Sequence, residues 1–259
     1  MIKVVLSIVL FWASAAWSQI VLTPKNNVNL RGEINEKSSD NVVRKVLELD
    51  RKRGVLNDPI YITIESPGGS IPDGESLIEA LKGVKNLKTI SIFAASMASA
   101  IVEALPGERL ILDSGALMFH RARGSVGGQF ETGELESRLA FYQKTVRKME
   151  QRSANRLNIS LNDYKQRVIN EWWTTAEEAV AQKQVDKIVT IKCSPELLDS
   201  TSIISVDLFL FSIDLEVSDC PLLKSVKPVG GQNSETIKAF KDSNFSFRKV
   251  NVNVQNNKR

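Results

Sequence analysis

Ile60-Tyr61-Ile62-Thr63-Ile64, followed by Glu65-Ser66-Pro67-Gly68-Gly69-Ser70, is the segment on which the fold turns. The uncharged, largely β-branched run reads as a buried strand, and Ser-Pro-Gly-Gly reads as the turn that ends it. Just beyond, Leu77, Ile78, Leu81 and Val84 share one helical face, and Thr89-Ile90-Ser91-Ile92-Phe93 supplies another β-rich run. Strand, turn, helix and strand in that order make a βαβ unit, with two parallel strands and a helix laid across them.

The same alternation extends in both directions. Upstream, Val28-Asn29-Leu30 reads as a short strand. The segment from Ser38 to Lys52 carries Val42, Val43, Val46, Leu47 and Leu49, as an amphipathic helix capped near Ser39 or Asp40 would. Downstream, Arg109-Leu110-Ile111-Leu112 and Leu117-Met118-Phe119 predict two more strands. Leu135, Leu139, Tyr142, Val146 and Met149 then run at alternating four and three spacing. That pattern predicts a long helix whose seam packs on another helix or on its own domain. A short helix over Thr175 to Lys183 and a strand at Lys187-Ile188-Val189-Thr190-Ile191 complete an α/β pattern with a largely parallel sheet.

Past Pro195 the character changes. Ile204, Val206, Leu208 and Leu210 alternate, then the phase slips to Phe211, Ile213, Leu215 and Val217. Such a slip marks one bulged strand or two short ones, and Asp207, Asp214 and Glu216 rule out a membrane span. From Lys224 onward Ser, Asn and Lys predominate, predicting poor order, with Gly230-Gly231 as a flexible point.

The ends of the chain speak to its compartment. Met1-Ile2-Lys3, an apolar run from Val4 to Trp12, and the small residues Ala13, Ser14, Ala15 and Ala16 match a secretory signal peptide cut after Ser18, or alternatively after Ala15. The run falls short of the ~20 apolar residues of a membrane span. The divisions expected are therefore a signal at 1–18, a domain at 19–195 and a partly disordered C-terminal extension at 196–259. Only Cys193 and Cys220 exist, and export would carry both into an oxidising compartment, where one disulfide is expected and two buried thiols are the alternative. With 259 residues, 42% apolar and 25% charged, the chain can bury one sizeable core. A net charge of +4 is too mild for a nucleic-acid footprint. One histidine, His120, excludes a His-rich metal site and confines any imidazole chemistry to one position.

Three segments at expected strand ends carry candidate chemistry. Gly68 and Gly69 let backbone N–H groups turn toward an anion, although Pro-Gly-Gly is first of all a turn. In Phe93-Ala94-Ala95-Ser96-Met97-Ala98-Ser99-Ala100 a strand gives way to a helix of small residues. Ser96 there is either an ordinary N-cap or a hydroxyl displayed to a substrate. The third segment is Leu117-Met118-Phe119-His120, leading into Arg121 and the glycine-rich Gly124-Ser125-Val126-Gly127-Gly128.

Together these segments resemble the ClpP peptidase family and, more broadly, the ClpP/crotonase superfamily. Ser66 to Gly69, Ala95-Ser96-Met97-Ala98 and Met118-Phe119-His120 follow the order of that family's motifs. Its tail motif is similar to Trp173-Thr174-Thr175-Ala176-Glu177-Glu178-Ala179 with Val185-Asp186, so the likeness runs from about Val28 to Val189. The resemblance implies a ClpP/crotonase-like βαβ superhelical core with a long protruding helix, and a serine endopeptidase without cofactor or metal. Ser96 would be the nucleophile, His120 its general base, and the N–H groups of Gly69 and Met97 the oxyanion hole. Glu171 stands where the family places the triad aspartate, so it is the expected acid; a Ser-His dyad or Asp113 are the alternatives.

The resemblance also implies a ring-like homo-oligomer mated through the long helix. Only residues 19–27 separate the expected cut from the first expected strand, where the family carries axial loops that meet an unfoldase. With export away from ATP, this implies a periplasmic, ATP-independent peptidase acting on short or unfolded polypeptides, with no ATPase partner. Rival readings are a crotonase-like acyl-CoA enzyme, a Ser-Lys peptidase using Lys82, Lys85 or Lys88, and a catalytically impaired scaffold or peptide binder.

Overall fold

The βαβ unit around residue 60 belongs to a larger sheet. The computed structural model describes residues 19–124, 131, 133–208, 211–229 and 238. The expected signal at 1–18, the glycine-rich stretch at 125–128 and the tail holding Gly230-Gly231 lie outside the described residues. Among the described residues the main sheet comprises β1 (Gln19–Leu22), β2 (Asn27–Arg31), β3 (Ile60–Ser66), β4 (Leu87–Ala95), β5 (Arg109–Phe119), β6 (Trp172–Thr175) and β7 (Lys187–Cys193). The spatial order is β1-β7-β5-β4-β3-β2, all parallel, with β6 antiparallel on the far half of β5.

Two differences from expectation have plain causes. Arg109 to Phe119 is one strand rather than two, because Asp113, Ser114 and Gly115, which read as a break, lie inside a strand that changes partners. Its first half pairs with β7 and its second half with β6, while a register shift against β4 between Ser91 and Phe93 absorbs the extra residues. The strand β1, on residues between the expected cut and the first expected strand, pairs parallel with β7 from Gln19↔Thr190 to Leu22↔Cys193.

The helices are α1 (Glu36–Arg53), α2 (Ile71–Leu81), α3 (Met97–Ala104), α4 (Glu134–Leu157), α5 (Leu161–Arg167), α6 (Ala176–Ala181) and α7 (Pro195–Leu198). Asn35, not Ser39 or Asp40, caps α1, exchanging hydrogen bonds with Ser38 in a capping box, and Ser39 is buried within the helix. Leu77 and Leu81 of α2 and Ile101 of α3 close on Leu30, Ile62 and Ile64 of the sheet, all fully or almost fully buried. Their burial contributes on the order of 1.5–3 kcal/mol per large side chain.

Arg109, set between two carboxyl groups, fixes α3 against the sheet. Arg109 Nη1 lies 2.9 Å from Glu103 of α3, and Arg109 Nη2 lies 2.8 Å from Asp186. Asp186 also accepts the Arg109 backbone N–H at 2.7 Å, which gives the Val185-Asp186 pair a structural reason. Burial pushes the Glu103 carboxyl up to about 8, against the pull of Arg109.

The C-terminal extension is a docked sheet. β8 (Thr201–Leu208), β9 (Phe211–Ser218) and β10 (Val226–Pro228) pair antiparallel in the order β10-β9-β8, so the phase slip separates two strands and order continues past Lys224 to β10. Cys193 at the end of β7 is disulfide-bonded to Cys220. Arg31, on the edge strand β2, donates to Ser218 O at 2.6 Å and to Cys220 O at 3.0 Å, and Asn29 Nδ2 donates to Asp219 O at 2.7 Å. No helix of the described residues is long and apolar enough to cross a membrane.

Two stability predictions follow from this packing. Replacing both cysteines by alanine frees a span of 27 residues and should lower denaturant stability by roughly 3 kcal/mol, read from urea unfolding. Glu103 holds its proton in the folded chain up to about 8 but releases it near 4.5 when unfolded. Its contribution is thus complete below about 4.5 and is lost as pH rises toward 8. Glu103→Gln should flatten the fall of the urea midpoint across that window.

Candidate active site

Ser96 joins β4 to α3 at φ 57° and ψ −122°, a conformation that a residue bearing a Cβ rarely adopts. Its backbone N–H donates to Met118 O of β5 at 2.8 Å. Ser99 Oγ, fully buried one turn later, lies 2.7 Å from Ala94 O and 2.8 Å from Met118 O, so the turn is tied to both strands. The Ser96 side chain makes no capping bond to the helix; its Oγ lies 2.6 Å from His120 Nε2. The N-cap alternative therefore fails on geometry, and the hydroxyl faces the imidazole instead.

The Ser-Pro-Gly-Gly segment approaches the same point. Gly68 has φ 96°, and a Cβ there would stand 2.6 Å from Ser96 Cβ and 2.7 Å from Ala95 O. A Cβ on Gly69, at φ 148°, would stand 2.3 Å from Ile34 O. Only glycine permits this approach. Ile34 N–H donates to Gly68 O and Ser70 N–H to Ile34 O, each at 2.8 Å, while Ser66 Oγ takes the Gly68 N–H at 3.1 Å. The N–H groups of Gly69 and Met97 are left without an acceptor among the described residues. Both residues line one cavity of about 220 Å³ with Ser96 and His120.

His120 follows the end of β5. Burial lowers its pKa, the Arg123 guanidinium pushes the same way, and Glu171 opposes them. The imidazole is therefore held neutral near pH 7, the state a general base requires. Its Nδ1 is buried and has no hydrogen-bond partner among the described residues. An unpaired buried group of this kind costs about 1–3 kcal/mol.

The expected acid is near but does not make that bond. β6 pairs with β5 through Phe119↔Trp172 and Met118↔Trp173, so one further step of this antiparallel register sets Glu171 across from His120. The Glu171 side chain is exposed, and its Oε2 accepts from Trp173 Nε1 at 2.9 Å. Asp113 lies exposed near the middle of β5, roughly 20 Å of strand away at ~3.3 Å per residue, too far to be the acid. Lys88 lies near the start of β4, roughly 25 Å of strand from Ser96 by the same rise, and Lys82 and Lys85 precede it, at the C-terminal end of α2 and in the turn that follows, so none of the three is placed to pair with Ser96.

A profile of known sequences bears on this arrangement: the Clp protease family model matches residues 14–192, well over half the chain. The chain belongs to the Clp protease family. Similar curated proteins include the ATP-dependent Clp protease proteolytic subunits of Streptococcus pyogenes serotype M5 (strain Manfredo) and of Streptococcus equi subsp. equi (strain 4047). Each is 24% identical over 165 residues, covering 62% of this chain and 83% of the relative. Family membership agrees with the α/β architecture, the long helix α4 and the motif order, and it supports peptidase chemistry.

Several residues that shape the site were not singled out from the sequence. Ser99 and Ser66 act on the backbone, and a small polar residue carries no local pattern that marks such a role. Ile71, Ala100, Phe119, Met149 and Tyr164 line the cavity from separate elements, which no local spacing reveals. Arg123 was hidden in an irregular segment. Because its charge holds His120 down, Arg123→Gln should move the acid limb of any His120-dependent activity to higher pH, measured as a pH profile of kcat/KM.

Proposed function

We propose that the chain is an exported serine endopeptidase that hydrolyses peptide bonds of short or unfolded polypeptides. The observation that carries this reading is the 2.6 Å approach of Ser96 Oγ to His120 Nε2, in a cavity that also presents the Gly69 and Met97 N–H groups. Ser96 Oγ attacks the scissile carbonyl as His120 takes its proton, and the two N–H groups receive the charge that develops on the carbonyl oxygen. His120 then gives the proton to the leaving amine, and water, activated by the same imidazole, releases the acyl group from Ser96. Glu171 would orient and charge-stabilise the imidazolium. The apolar cavity beside Ser96 suits an apolar substrate side chain.

Export is supported by the disulfide, which belongs to an oxidising compartment, together with the apolar N-terminal run. In a periplasmic setting without ATP the enzyme would work without an unfoldase, unlike relatives whose names call them ATP-dependent. Leu135, Leu139 and Phe141 stand 44%, 45% and 73% exposed on α4, which supports assembly of copies into a ring-like homo-oligomer through that helix.

A second reading, an impaired oligomeric scaffold or peptide binder, is favoured by the unpaired His120 Nδ1. A fluorophosphonate probe separates the two. Mature protein is expected to be labelled, with labelling abolished in Ser96→Ala and reduced at least about 100-fold in His120→Ala. Folded wild-type protein that stays unlabelled would establish the scaffold.

A further inference from the structure

The acid expected of the triad is claimed by another donor. Glu171 and Trp173 are two residues apart on an extended segment and so share one face, and the indole N–H bonds the carboxylate. On the facing strand, Met118 pairs with Trp173 and His120 falls opposite Glu171. The Trp173 ring is held by Phe93, centroids 6.0 Å apart, so its N–H is fixed in direction. Two donors therefore flank one carboxylate. Trp173 and Glu171 are largely exposed, so water competes for their bond. His120 Nδ1 is buried and has no alternative partner among the described residues.

We propose that Trp173 is a positioning residue that holds Glu171 in a resting place, and that the site becomes fully competent when the carboxylate passes from the indole N–H to His120 Nδ1–H. One hydrogen bond is exchanged for another, and no proton leaves either donor. The driving force rises as His120 takes the proton of Ser96, because an imidazolium binds the carboxylate more strongly than a neutral ring does. The inference rests on the peptidase reading for its consequence in catalysis. The hydrogen-bond exchange itself does not require that reading.

That independence makes the test clean. His120 is the sole histidine, so the imidazole signals in an NMR titration belong to one residue. Among the described residues the charged groups facing that ring are Arg123, from the segment after β5, and Glu171, with Tyr164 of α5 lining the same cavity. Trp173→Phe keeps the ring against Phe93 and removes only the competing donor. It is expected to raise the His120 titration midpoint, and Glu171→Gln to lower it. The double variant should match Glu171→Gln alone, since Trp173 acts only through Glu171. On a short fluorogenic peptide, Trp173→Phe should raise kcat by about threefold to tenfold with KM within about twofold, and move the acid limb to higher pH.

An unmoved His120 midpoint in Trp173→Phe would overturn the proposal, as would a double variant that keeps the Trp173→Phe effect. If the midpoints move as expected while wild-type protein resists fluorophosphonate, the exchange stands and the peptidase reading falls. The two failures are thus separate.

Discussion

Everything at the site depends on the chain turning from strand to helix within the single residue Ser96, at a positive φ. A side-chain-bearing residue held there costs on the order of 1–3 kcal/mol, and the surrounding structure must hold it in place. Ser96 N–H on Met118 O, and Ser99 Oγ on both Ala94 O and Met118 O, do so by tying the turn to β4 and β5 at once. The turn lifts Oγ out of the helix-capping position and toward His120. It also frees the Met97 N–H, and it demands that the neighbouring backbone come close enough for Gly68 to lack room for a Cβ. The Ser96 hydroxyl, the His120 imidazole and the Met97 N–H are thus brought to one point by one strained dihedral pair, held by the Ser96 N–H and by the Ser99 hydroxyl set between two carbonyls.

The tie to Met118 explains why β5 needs its unusual pairing. A strand that served only β7 would end near Leu112; instead it runs on past Gly115 beside β4 and β6. The extension presents Met118 O to the turn and delivers His120 one residue beyond the strand end. The C-terminal sheet steadies the opposite flank. Arg31 of the edge strand β2 is buried against the carbonyls of Ser218 and Cys220, and Lys224 pairs with buried Glu65, the residue before Ser66. The extension therefore braces the strand that ends in the glycine pair, and the Cys193–Cys220 bond fastens it to β7 on the other side of the sheet.

Most of the architecture was legible because its signals are local. The β-branched runs at Ile60 and Thr89, the helical spacing of Leu77 to Leu81 and the long apolar seam from Leu135 each declare a single element. Ser96 and His120 were legible through motif order, since each sits at a strand end with small or apolar neighbours. What escaped notice was relational. Asp113-Ser114-Gly115 reads as a break by composition, but tertiary pairing overrides it. β1 is too short to announce itself without its partner β7, and Trp172 to Thr175 declares no strand until Phe119 pairs with Trp172. The position of the Glu171 carboxylate was beyond reach for the same reason, because it is decided by a contact between side chains two residues apart.

That contact bears on the substitution of glutamate for aspartate. An aspartate opposite His120 has a short side chain whose carboxylate stays near its own backbone, and a strand-pair neighbour at about 5 Å is its natural partner. The added methylene of Glu171 brings a further rotatable bond and a longer reach, and its carboxylate meets the indole of Trp173 rather than the imidazole. Each rotor fixed on forming the productive bond carries an entropic cost, which a buried hydrogen bond to a charged ring outweighs and one to a neutral ring barely does. An acid of this kind engages most strongly while His120 is protonated. On the proposed mechanism that state forms as Ser96 attacks, so the longer side chain would turn a permanent brace into one that acts chiefly in the transition state.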